Sequence, residues 1–181
     1  MNLSNRARGV FEWNKMGSKR GFTVIELIMV IVVITLVAFV ASPLVENLPN
    51  TRAYYAVHKM RSDLRYAQEL AIVSQARTRV VFDASIDRYQ IERETSPNLW
   101  VAATDPATKG NYQVDFNTGD YQGVDITVAN LNGTTTVIFD SYGAPFDGNG
   151  VALPEPAYVD LNSKYRLNFR SQTGKADLTI L

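Results

Sequence analysis

The chain has 181 residues, no cysteine, one histidine, and 18 basic against 18 acidic side chains. That length gives room for one modest domain, and the absence of cysteine excludes a disulfide framework and thiolate metal sites. The charge is uneven: residues 1–21 carry Arg6, Arg8, Lys15, Lys19 and Arg20 against Glu12, a net of +4, and the remainder is net −4, which argues against a dedicated nucleic-acid binder.

Residues 1–21 are polar and basic, with no helical stripe. From Leu27 to Val45 there is no charged residue. As a helix this run would be roughly 28 Å long, close to the thickness of a hydrocarbon core. The sequence therefore predicts a single membrane segment, with the basic flank on the cytoplasmic side and the acidic remainder beyond the membrane. The run is too long for a signal-peptide core, and Phe39-Val40-Ala41-Ser42-Pro43 is a poor cleavage site. Processing is expected before the run, at Gly21-Phe22. Glu26 stands near the start of the segment, where an unpaired charge costs at least ~2.5 kcal/mol, so it needs a partner.

The stretch Lys19-Arg20-Gly21-Phe22-Thr23-Val24-Ile25-Glu26-Leu27 resembles the class III signal of type IV pilin-like proteins. The resemblance implies that a membrane peptidase cuts between Gly21 and Phe22 and methylates the new N-terminal Phe22. Glu26 becomes the fifth residue of the mature chain and Pro43 the twenty-second, a position where pilins often have Pro. The chemistry is consistent with this. Glycine leaves the backbone bare for a protease cleft. The released α-amino group, with an ordinary pKa of about 8, is largely protonated. A neighbouring subunit's Glu26 can pair with it, which makes the carboxylate an assembly register. Pro43 has no N–H to give to the carbonyl of Phe39, so a bend is expected there, with Pro49 extending a weak stretch over residues 42–50.

An amphipathic helix restarts after Asn50-Thr51. Val57, Met60, Leu64, Ala67, Ala71 and Ser74 recur at spacings of three and four, with Arg52, Lys59, Arg61, Asp63, Arg65, Gln68 and Glu69 largely off that face. His58, beside Tyr54, Tyr55 and Lys59, reads as a surface or partly covered histidine rather than a ligand or base. From Arg77 the period becomes two. Val80 and Phe82 pair with Tyr89 and Ile91 across Ala84-Ser85-Ile86. Thr95 to Gly110 reads as a loop around Trp100, and Tyr112, Val114 and Phe116 as a strand. Val124, Ile126 and Val128 are expected to pair with Thr135, Val137 and Phe139 across Asn132-Gly133. Tyr165, Leu167 and Phe169 pair with Ala176, Leu178 and Ile180 across Ser171 to Gly174.

Within the pilin-like superfamily this layout is most similar to the minor pseudopilin H branch of type II secretion and to related minor pilins. Three features carry the similarity: Leu64 to Ile72 followed by an Arg-Val-Val-Phe strand, the turn Phe139-Asp140-Ser141-Tyr142-Gly143, and the closing hairpin around Gly174. The implied fold is α+β, a long N-terminal helix packed on an antiparallel sheet. Its parts are a basic leader (1–21), a transmembrane and assembly helix (22–45), an amphipathic helix (46–76) and a periplasmic β-rich head (77–181). The implied partners are a prepilin peptidase/methyltransferase, other pseudopilins or pilins in a filament, and an inner-membrane assembly platform. A type IV pilus minor pilin, acting in pilus initiation or DNA uptake, is the alternative. For DNA the candidate patch is Lys164, Arg166, Arg170 and Lys175, although strand alternation alone accounts for Arg166 and Arg170, and nucleic acid is not expected as a partner. Asp147-Gly148-Asn149-Gly150 lacks the further ligands of a calcium loop and reads as a turn. Nothing in the sequence assembles a nucleophile and base, so a structural subunit without cofactor or metal is expected rather than an enzyme.

Overall fold

The computed structural model describes residues 21–46 and 48–181, with side chains described for 21–39 and from Asn50 onward. The expected leader, apart from Gly21, lies outside the described residues. The chain divides into two compact units between Pro43 and Leu44.

In the first unit, helix α1 (Val24–Glu46) runs through Pro43. Thr23 caps it: its Oγ1 accepts the Glu26 N–H at 3.2 Å, and its carbonyl accepts the Leu27 N–H at 3.1 Å. Apart from Glu26 and Thr35, the described side chains of α1 are apolar on every side, and all are exposed. A helix apolar all round has no solvent face to offer. Among the described residues, no helix is long and apolar enough to cross a membrane; in α1 the described side chains end at Phe39, short of Val45.

The second unit begins with the end of α1 and continues with helix α2 (Leu48–Ser74). The restart is earlier than expected, because Pro49 falls in the first turn, where its missing N–H has no intrahelical role. Helix is described on both sides of residue 47, which itself lies outside the described residues. The predicted face is the buried one: Val57, Met60, Leu64, Ala67 and Ala71 are 0–2% exposed, joined by Ala53 and Ala56. Four alanines on this seam let the strands approach closely. Ser74, at the end, is half-buried, and its hydroxyl donates to the Leu70 carbonyl at 2.6 Å.

Two antiparallel sheets complete the unit. The first comprises β1 (Thr78–Asp83), β2 (Arg88–Ser96), β3 (Leu99–Ala102), β4 (Gln113–Asp115), β6 (Thr136–Phe139) and β7 (Pro145–Asp147), in the order β3-β2-β1-β6-β7, with β4 also on β2. The second is β10-β9-β8-β5, from β5 (Ile126–Asn130), β8 (Ala157–Leu161), β9 (Tyr165–Phe169) and β10 (Ala176–Ile180). Helix α2 contacts β1 and β6 of the first sheet and β9 and β10 of the second. The predicted hairpins β1–β2 and β9–β10 form in the expected registers, Val80 opposite Ile91, Phe82 opposite Tyr89, and Leu167 opposite Leu178.

Two expectations are corrected. The reversal at Asn132-Gly133 is tight: Leu131 and Thr134 exchange backbone hydrogen bonds of 3.0 and 3.2 Å, and both central residues have positive φ. The flanking strands then part, β5 pairing with β8 and β6 with β1. An Asn-Gly turn fixes where a chain reverses, whereas burial decides which strands pair, and Phe82 N–H has already claimed the Thr135 carbonyl at 2.9 Å. Within the predicted loop, residues 95–96 and 99–102 are strand instead. β2 runs to Ser96 and turns at Pro97-Asn98, where Asn98 has φ +61° and donates its N–H to Glu94 Oε1, and β3 returns with Trp100 opposite Glu94.

Candidate functional site

The residues matched by the processing signal precede or open α1. Gly21 has open space where a Cβ would stand, Phe22 is 81% exposed, and neither is helical. Glu26 occupies the third helical position after the Thr23 cap, the spacing of a capping box, which also puts its charge near the positive end of the helix dipole. That local role was legible as Thr-x-x-Glu, and the sequence reading passed over it.

Sequence reasoning also missed the main polar feature of the head. Asp63, assigned off the core face, is 2% exposed and lies on it, three residues after Met60 and four before Ala67. Its carboxylate accepts from the Tyr89 hydroxyl at 2.6 Å, the Tyr112 hydroxyl at 2.8 Å and Lys59 Nζ at 2.6 Å. Lys59 also donates to the Tyr112 hydroxyl at 3.2 Å. Burial, then the Asp63 charge, pushes both tyrosine hydroxyls well above their ordinary range. The group ties α2 to β2 and to the segment entering β4. An isolated buried carboxylate would be expensive, so charge on this face requires these donors.

The three features that carried the likeness to the H branch converge on a second residue assigned off the face, Gln68. Its side-chain amide donates to the Gly143 carbonyl at 2.7 Å and to the Thr173 carbonyl at 2.6 Å. One residue of α2 thereby holds the β6–β7 turn and the β9–β10 turn together. Both glycines are required by this close approach. Gly143 has φ +80°, and a Cβ there would meet Ile72 Cδ1 at 2.9 Å. Gly174 has φ +65°, and its Cβ would meet Phe139 Cε1 at 2.8 Å.

The candidate nucleic-acid residues are largely engaged. Arg166 makes a bidentate pair with Asp160 at 2.7 Å and lies 3.8 Å over the Tyr158 ring. Arg170 bonds Asp177 at 3.0 Å, with Lys175 3.8 Å from the same carboxylate, and this holds the Asp177 carboxyl below its ordinary range. Lys164 sits over Tyr165. The guanidinium charge of Arg166 is thus paired within the sheet, between β8 and β9. Asp147 is buried and forms a turn: its carboxylate accepts the N–H groups of Asn149 and Val151 at 2.9 Å and the Asn132 amide at 2.7 Å. Burial raises its pKa, but these donors outweigh it and hold the group below the usual carboxylate range. The predicted surface His58 is exposed, its ring edge-on to Tyr54 at 4.5 Å.

Comparison with known proteins is decisive for the head. The family described as "Type II transport protein GspH" matches residues 56–170, which span α2 from Ala56 to the end of β9. The chain belongs to this family. Two solved structures of the minor pseudopilin EpsH from the type II secretion system of Vibrio cholerae share its fold, both with a TM-score of 0.53 and 14% identity. One covers 71% of this chain and 96% of its own, the other 72% and 94%. No curated protein sequence matches the chain. The GspH match takes in Asp63, Gln68 and the Phe139–Gly143 turn but begins beyond Gly21, Phe22, Glu26 and Pro43. This GspH-family chain is a type IV pilin-like minor pseudopilin, a structural subunit.

Proposed function

We propose that this pseudopilin enters a type II secretion pseudopilus through a processed N-terminal helix, its head in the periplasm and its apolar segment held in the inner membrane until assembly. The family match over the head carries the assignment to type II secretion. The processing steps rest on the signal around Gly21. A prepilin peptidase/methyltransferase cuts between Gly21 and Phe22, and the start of α1 at Val24 leaves those two residues outside the helix. Methylated Phe22 then presents a cationic amine. Glu26 of an incoming subunit pairs with it, which removes the cost of an uncompensated charge among apolar helices. Pro43 leaves the Phe39 carbonyl without its helical donor and gives α1 a point of adjustment while helices pack. The inner-membrane assembly platform receives the subunit, and other pseudopilins are its filament neighbours.

Substituting Glu26→Ala and measuring co-purification with the other pseudopilins tests this. The variant is expected to be cleaved at Gly21, with methylated Phe22 at its N-terminus by mass spectrometry, and retained in the membrane, but lost from pseudopili. Normal co-assembly of Glu26→Ala would overturn the pairing, and an uncleaved wild-type chain would overturn the processing.

A further inference from the structure

At the end of the head where α2 starts, aromatic and aliphatic side chains form an exposed collar. Tyr54 and Tyr55 are 44% and 61% exposed, with ring centroids 5.8 Å apart. Tyr54 also meets Tyr165 at 6.2 Å, and the Tyr165 hydroxyl reaches the Asn50 carbonyl at 3.5 Å. Ile180, opposite Tyr165 in the β9–β10 register, is 65% exposed. Lys164 lies over the Tyr165 ring and helps line a hollow of about 370 Å³ with Tyr54 and Asn50.

The geometry points to the phospholipid headgroup layer as the partner of this collar; the inference rests on the membrane reading above. Asn50 is five residues after Val45, the end of the apolar run, and helix is described on both sides of residue 47, so at a helical rise these five residues advance only about 7.5 Å. If that run crosses the bilayer, the start of α2 lies within reach of the headgroups, which extend roughly 5–7 Å beyond the hydrocarbon on each side. Tyrosine, with an apolar ring and a hydroxyl tip, suits that boundary, and a lysine stem can lie along it with its ammonium among phosphates. The neighbouring charges are mixed: Arg52, whose guanidinium donates to the Gln122 carbonyl at 2.8 Å, stands near the loop carrying Asp120 and Asp125. The rings therefore carry the docking, with zwitterionic lipid sufficient. The collar holds the head of the unassembled subunit down on the bilayer and must be released on entry into a filament.

The chain has no cysteine, so single labels are specific. The full chain carrying a fluorophore at Ile180→Cys is reconstituted in phosphatidylcholine vesicles containing headgroup-spin-labelled lipid. Quenching is expected at position 180, with an at least twofold loss in Tyr54→Ser/Tyr55→Ser and a partial loss in Tyr55→Ser alone. A label at Tyr142→Cys, in the turn that packs on Gln68 and Ile72 of α2 and so about 21–27 Å further along that helix than Tyr54, is expected to stay unquenched. Equal quenching at 180 and 142, or no change in the folded double variant, overturns the proposal. A label at Ile34→Cys with acyl-chain-labelled lipid separates the two readings. If 34 is quenched and 180 is not, only the docking fails; if 34 is unquenched, the membrane reading fails and the docking with it.

Discussion

Replacing Asp63 by Ala should destabilise the head more than any exposed substitution on α2. The carboxylate is 2% exposed and holds two tyrosine hydroxyls and one ammonium at 2.6–2.8 Å. Each hydrogen bond to a charged group contributes about 1.5–3 kcal/mol, and donors left unpaired in a buried site lose their hydration as well. Lys59, 35% exposed along its side chain, can turn to water and recover part of its share. The Tyr89 hydroxyl cannot, because its ring is 1% exposed. The expected loss is therefore about 3–5 kcal/mol, a large fraction of the ~5–15 kcal/mol that stabilises an ordinary domain. Tyr89→Phe removes one donor and leaves Tyr112 and Lys59 on the carboxylate, so about 1–2 kcal/mol is expected. Urea denaturation of the full chain in detergent, followed by near-ultraviolet circular dichroism, measures both. A loss under 1 kcal/mol for Asp63→Ala would refute the reasoning, since the buried group would then be dispensable.

The same group predicts alkaline sensitivity. Burial and the Asp63 charge raise the hydroxyl pKa values of Tyr89 and Tyr112 in the folded head above the ordinary value of about 10. Their contribution is fully present below pH ~10 and is lost as pH rises beyond it, because the unfolded chain ionises first. The melting temperature should fall above pH ~10, less steeply in Tyr89→Phe. A pH-independent melt there would contradict it. At the turns, Gly174→Ala should cost more than about 2 kcal/mol, since the added methyl meets Phe139 and Gln68 at 2.8 and 2.9 Å on a left-handed backbone. Gly133→Ala, with open space around the same kind of backbone, should cost about 1 kcal/mol. Equal melting shifts for the two would show that the clamp around Gln68 does not constrain the turns.

The sequence made the repeating parts of this fold legible. Spacings of three and four located the α2 seam from Val57 to Ala71, and alternation located β1–β2 and β9–β10, because burial on one face leaves a periodic trace. It was silent where side-chain chemistry overrides that trace. Asp63 fits the seam by spacing but was set aside as charged, since its partners Tyr89 and Tyr112 stand 26 and 49 residues away. Gln68 was set aside as polar, its two carbonyl partners being backbone groups that no sequence pattern reports. The Asn132-Gly133 reversal was found, yet the separation of β5 from β6 was not, because strand partners depend on the whole core rather than on a dipeptide. Trp100 was placed in a loop because its neighbours, Arg79 at 4.5 Å and Arg77 at 5.6 Å, come from β1 and the residue just before it. The signal at Gly21 to Glu26 is local and so open to reading from adjacent residues alone, and there the cap that Thr23 gives Glu26 was passed over.

The most direct test of a type II secretion subunit assembled through its N-terminal helix is a clean deletion strain, scored in parallel for proteins released to the medium and for surface pili. Loss of secretion with pili intact, restored by the wild-type chain and not by Glu26→Ala, is the predicted result. Loss of pili with secretion intact would contradict it and assign the subunit to a type IV pilus.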